Sequence, residues 1–119
     1  MLSELKNVRQ PETDVLRRWF TDSYFDLIVW YNKKGGITGF QLCYDKTFNE
    51  HSLTWKAGEG FVHNRIDDGE VTGTAKMTPI LVQDGSFDKL SVAERFKHES
   101  DRIEKQIREL VYSKILEFH

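Results

Sequence analysis

Only one cysteine, Cys43, occurs in 119 residues, so no disulfide can close within the chain and no multi-cysteine zinc site can form. That usage fits a reducing compartment better than a secreted scaffold. Prolines number two, and no Pro/Gly/Ser linker, internal repeat or low-complexity tract divides the sequence. A chain of this size buries a core without metal or disulfide staples, so one domain over 1–119 is expected. Neither sign of charge dominates. With 17 Lys+Arg against 19 Asp+Glu the formal charge is −2, which lacks the strongly basic footprint of a general nucleic-acid binder. No nucleic-acid partner is expected.

Long apolar runs are missing as well. The longest strongly apolar stretch, Leu27 to Tyr31, is far short of the roughly 20 residues that cross a bilayer as a helix. The first ten residues mix Glu4, Lys6 and Arg9 with isolated Leu2, Leu5 and Val8, without the apolar centre of a secretory signal. A soluble, cytoplasmic protein with no membrane partner is the expectation. The sequence also lacks G-x-G-x-x-G, G-x-x-x-x-G-K-[ST], G-x-S-x-G and H-E-x-x-H, which removes the common phosphate-cradling, nucleophile-elbow and zinc-helix devices. No cofactor or metal is implied.

What the chain does have is regular punctuation. Asn32-Lys33-Lys34-Gly35-Gly36, Ala57-Gly58-Glu59-Gly60, Asp67-Asp68-Gly69 and Asp84-Gly85-Ser86 carry residues that tolerate the positive φ of tight turns. Between them lie Tyr24 to Tyr31, Ile37 to Tyr44, His51 to Lys56, Phe61 to Ile66 and Thr78 to Gln83, rich in the β-branched and aromatic residues of strands. Residues 15–20 form a sixth strand or a helical turn. Glu70 to Met77 reads as a mobile loop or short edge strand able to act as a lid. The N-terminal segment 1–13 is either mobile or a short helix, and the sheet spans 14–83.

The last quarter changes period. Ser91-Val92-Ala93-Glu94 has capping-box spacing, and Phe96, Ser100, Ile103, Ile107, Leu110, Val111 and Phe118 recur at helical intervals. This stripe predicts one long helix over 91–118, with ion pairs Asp101–Lys105 and Glu104–Arg108 on its solvated side. The fold class is therefore α+β, an antiparallel β-meander of five or six strands packed against one long C-terminal α-helix.

Hairpin geometry then sets register. Flanking the first turn with Asn32 and Ile37 places Val29 opposite Phe40, Leu27 opposite Leu42 and Phe25 opposite Tyr44. Tyr44 opposite His51 continues the apolar face through Leu53 and Trp55. Letting Lys56 face Phe61 sets Trp55 beside Val62 and Leu53 beside Asn64. The other face then holds Asp26, Cys43, Ser52 and Arg65; Ile28, Gln41, Thr54 and His63; and Trp30, Gly39, Lys56 and Phe61, with Gly39 giving room to Trp30. An Arg18 in an N-terminal strand would fall beside Asp26.

Rings and a few polar groups on one face are what a binding surface offers; incomplete cover by the N-terminal segment or a second subunit produces the same pattern. Arg65, His63, Thr54, Gln41, Lys56 and Trp30 are the candidate ligand-binding residues, with Phe61 beside them. Arg65 suits a small anionic ligand through its planar fork. The favoured expectation is a noncatalytic binding or assembly module, in its simplest form a homodimer. The alternative is a small enzyme with His63 as general acid or base, Arg65 holding an anionic substrate group and Asp26 or Asp67 orienting the imidazole. Cys43 and His63 fall on the order of 10 Å apart in this register, too far for a nucleophile–base pair.

Overall fold

A computed structural model of the chain describes residues 1–5, 16–46, 50–67, 80–83 and 88–118. Among these residues seven strands form one sheet in chain order: β1 (Ser3–Glu4), β2 (Leu16–Thr21), β3 (Phe25–Tyr31), β4 (Ile37–Tyr44), β5 (His51–Lys56), β6 (Gly60–Asp67) and β7 (Ile80–Gln83). Each is antiparallel to the next. Residues 16–21 are thus strand rather than helical turn, and a two-residue β1 extends the sheet beyond six longer strands. The expected lid at 70–77 and turn at 84–86 lie outside the described residues, as does most of segment 1–13.

Alternation decides which face is core. Phe20, Phe25, Leu27, Val29, Phe40, Leu42 and Leu53 are all buried on one side, because successive side chains of a strand point to opposite faces. The predicted pairs Phe25–Tyr44, Leu27–Leu42, Val29–Phe40, Tyr44–His51, Leu42–Leu53 and Phe40–Trp55 all form. Tyr31 pairs with Ile37 through an irregularity after Trp30, which leaves the rest of the hairpin in register.

The β5–β6 hairpin departs from expectation by one residue. Lys56 pairs with Gly60, Trp55 with Phe61, Leu53 with His63 and His51 with Arg65. The Glu59 amide donates to the Lys56 carbonyl at 2.9 Å, and Gly58 and Gly60 take φ of +82° and +90°. These positive φ values build a three-residue connection that only glycine accommodates without strain. A single-residue slip moves every β6 side chain to the opposite face.

Among the described residues two helices, not one, cover the core: α1 (Lys89–Glu99) and α2 (Lys105–Glu117). The cap of α1 is Asp88, whose carboxylate accepts from the Ser91 amide, in place of the expected Ser91 capping box. The apolar stripe survives as Val92, Ala93 and Phe96 on α1 and Ile107, Val111 and Ile115 on α2, with Ile103 buried between them. Phe96 meets Phe25 edge-on at 5.9 Å. The Lys89 ammonium donates to the carbonyls of Leu116 at 3.0 Å and Phe118 at 2.9 Å, tying the start of α1 to the end of α2, so the helices run back along each other.

The break at 100–104 is held from outside the helices. Arg18 donates through Nε and Nη2 to the two carboxylate oxygens of Glu4 at 2.9 and 2.8 Å, and through Nη1 to Glu104 at 2.7 Å. The Leu2 amide donates to the Glu99 carbonyl, and Leu2 itself is fully buried. Glu104 therefore pairs with Arg18, not with Arg108. Arg18 pairs across the ladder with Val29 on the core side, and Thr21 rather than Arg18 lies beside Asp26.

Candidate functional site

The register divides the sequence-predicted site between two faces. Trp30, Gln41, Thr54 and Lys56 stay together on the face opposite the helices, where one ladder row reads Trp19, Ile28, Gln41, Thr54, Val62 and the next Arg17, Trp30, Gly39, Lys56, Gly60. His63, Arg65 and Phe61 move to the helix side. Trp19 and Val62 take their places in the exposed set. Sequence reasoning missed Trp19 because residues 15–20 had no register to align them, and Val62 because it had been assigned to the core.

This open face is amphipathic. Trp19, Ile28 and Trp30 are half-buried and Val62 is 52% exposed, although both described helices and Leu2 pack on the other side. Across five strands at ~4.8 Å spacing the row extends on the order of 19 Å. Cations lie against its rings: the Lys56 ammonium is 5.7 Å from the Trp30 ring and the Arg17 guanidinium 5.8 Å from that of Trp19. Trp30, Thr38, Lys56, Ala57 and Glu59 line a depression of about 410 Å³ at one end of the face. Gly39 has a role other than making room for Trp30. A Cβ there would stand 2.6 Å from the Trp55 carbonyl oxygen, so glycine lets β5 approach β4.

The far end of the face is closed. Lys46 donates to the Asp26 carboxylate at 2.9 Å, the Thr21 hydroxyl at 3.1 Å and the Asp22 carbonyl at 2.9 Å. Thr21 also donates to Asp26. Ser52 is fully buried, with its hydroxyl unpartnered among the described residues. Burial pushes the neighbouring Cys43 thiol up to about 12, with Glu50 and Asp26 adding to the effect, so the thiolate needed for nucleophilic chemistry is scarce at neutral pH.

On the helix side, His63 enters a ring stack. Tyr44, His51 and His63 are mutual neighbours with nearly parallel rings: the His51 centroid is 5.4 Å from each of the other two, which are 6.0 Å from one another. The Tyr44 hydroxyl and His63 Nε2 share a 2.7 Å hydrogen bond. Phe118 closes over His63 at 5.7 Å and meets Phe61 edge-on at 5.6 Å. His63 is 4% and His51 7% exposed, whereas Arg65, two residues along the same strand face, is exposed. Asp26, on the other face, cannot orient this imidazole. Among the described residues no group of three or more His, Cys, Asp or Glu side chains is placed to hold a metal ion, and no helix is long and apolar enough to cross a membrane.

No protein-family model, no curated protein and no solved structure matches the chain.

Proposed function

We propose that the protein is a noncatalytic binding and assembly module whose contact surface is the sheet face opposite the helices. One observation carries this reading: an uninterrupted row from Trp19 through Ile28, Gln41 and Thr54 to Val62 keeps large apolar groups partly exposed. Exposed apolar area rimmed by polar groups is the usual composition of a contact surface. The two tryptophans supply rigid area, and Gln41, Thr54 and Lys56 supply direction. A second copy of the chain is the simplest occupant, because two-fold pairing sets the same row against itself and covers both.

Sedimentation velocity over a wide concentration range tests the reading. Concentration-dependent dimerisation that Trp19→Ser and Val62→Glu each weaken by about tenfold or more is the expected result. A wild type that stays monomeric throughout would overturn self-association. A thermal-shift screen with small anions then examines the remaining version, in which Lys56 and Trp30 hold a ligand.

A second reading, a small enzyme using His63 and Arg65, gains support from the Tyr44 hydroxyl bonded to the imidazole. It requires Phe118 to move, since that ring lies over His63. An NMR titration in which His63 behaves like a model-peptide histidine would count against it.

A further inference from the structure

We infer that the crevice between α1 and α2 is a binding site for a phosphate group, on a surface separate from the open sheet face. Lys97, Ser100, Lys105, Arg108, Glu109 and Tyr112 line this open crevice of about 230 Å³. Three cations and one carboxylate line that volume, an excess of positive charge in a space suited to a small oxyanion. The helix break creates this arrangement. Ending α1 at Glu99 and restarting at Lys105 brings Lys97 from the last turn of one helix and Lys105 and Arg108 from the first turns of the next around Ser100.

Arg108 is the strongest indication. Its Nε is buried, yet no acceptor for it occurs among the described residues. A buried guanidinium N–H without an acceptor is costly, and the carboxylate nearest Arg108, that of Asp101, reaches only Nη2, at 4.0 Å. The side chain as a whole is 32% exposed, and turning its Nε–Nη edge into the crevice would match the spacing of two phosphate oxygens. Lys105 is shared with Glu109 at 3.9 Å, and Lys97 stands 5.8 Å from the Tyr112 ring, an arrangement from which either ammonium turns toward an anion at little cost. The Tyr112 hydroxyl donates to Glu94 at 3.4 Å, which leaves the ring face as an apolar wall for whatever carries the phosphate.

The experiment is a ¹H–¹⁵N titration of the full chain with inorganic phosphate, sodium chloride being adjusted to hold ionic strength constant. Acetate at the same ionic strength forms a second arm. Saturable shifts confined to residues 97–112, with a Kd in the millimolar range, are expected for phosphate. Acetate should bind at least about fivefold more weakly, because it brings one charge against several cations. Arg108→Lys, which keeps the charge and removes Nε and the fork, should weaken phosphate binding about tenfold; Lys97→Ala should weaken it several-fold, and Lys34→Ala, in the distant β3–β4 turn, should not change it. The dispersed spectrum of each variant reports that it is folded. Non-saturating shifts, equal response to acetate, or an unchanged Kd in Arg108→Lys would each overturn the assignment.

Discussion

The hydroxyl of Tyr44 and Nε2 of His63 meet at 2.7 Å across an intervening strand, beneath the helical layer, with the imidazole of His51 beside both rings at 5.4 Å from each. Four aromatic rings, counting Phe118, thus replace aliphatic packing at this end of the core. The hydrogen bond satisfies polar atoms that burial would otherwise leave costly.

Tyr44→Phe tests that bond with little change of shape. Loss of the hydroxyl removes a partner from a buried ring nitrogen, for which about 1–2 kcal/mol of stability is expected to be lost. Urea denaturation with an unchanged slope and a lowered midpoint is the readout. Equal stability of variant and wild type would show the bond to be energetically idle.

Arg18 predicts an acid limb in the stability profile. Hydrogen bonding to its guanidinium holds the Glu4 carboxyl below the ordinary 4.5, against a smaller opposing effect of burial. A carboxyl depressed on folding stabilises above its unfolded value, and that contribution disappears as pH falls through the folded value. The pair is partly exposed, so the amount is modest, about 0.3–1 kcal/mol. Arg18→Met should flatten this part of the profile below pH 4.5. A variant whose loss with acid matches that of wild type would dissociate Glu4 from the effect.

Cys43 should resist alkylation. With its thiol pushed up to about 12 by burial, native protein at pH 8 should react with iodoacetamide more than about a hundredfold slower than a free cysteine, while guanidinium-unfolded protein reacts normally. Mass spectrometry of timed aliquots gives both rates. Fast native labelling would mean that this end of the face opens.

Gly39→Ala should be disproportionately harmful for one methyl group. The added Cβ would stand 2.6 Å from the Trp55 carbonyl oxygen and 3.2 Å from the Lys56 Cα, both backbone atoms, so the strands must separate. A cost of about 1–3 kcal/mol is expected, with faster amide exchange localised to β4 and β5. Exchange that speeds up uniformly, or not at all, would contradict a local steric cause.

How far the sequence was legible depended on whether one local solution was available. In β4 and β5 large apolar residues alternate with smaller or polar ones, and although β3 is apolar on both faces over Leu27 to Tyr31, its hairpin with β4 sets Phe25, Leu27 and Val29 against Tyr44, Leu42 and Phe40, the register that the structure has. In β6 both alternating sets carry apolar groups, Phe61 on one side and Val62 on the other. Choice between them rests on the turn, and two glycines at positive φ give a three-residue connection that pairs Lys56 with Gly60 and not with Phe61. That one-residue difference carried His63 and Arg65 to the other face, dividing the candidate site while leaving Trp30, Gln41, Thr54 and Lys56 in place. The helix break was illegible for another reason. Ser100-Asp101-Arg102-Ile103-Glu104 contains no glycine or proline and fits the helical stripe, and the contacts that hold the break, from Leu2 and Arg18, come from the far end of the chain.

Because the sheet follows chain order, each hairpin closes a short stretch of backbone, and such pairings form at little entropic cost. The Arg18–Glu104 contact is of another kind, joining groups 86 residues apart. Closing so long a span is entropically the costlier step, so this contact is expected to form last, as the helical pair settles on the sheet. Glu104 therefore acts as a latch on the way out rather than a guide on the way in: Glu104→Gln should speed unfolding in a chevron plot and leave the refolding arm where it was, whereas a slowed refolding arm would place helix docking inside the folding nucleus.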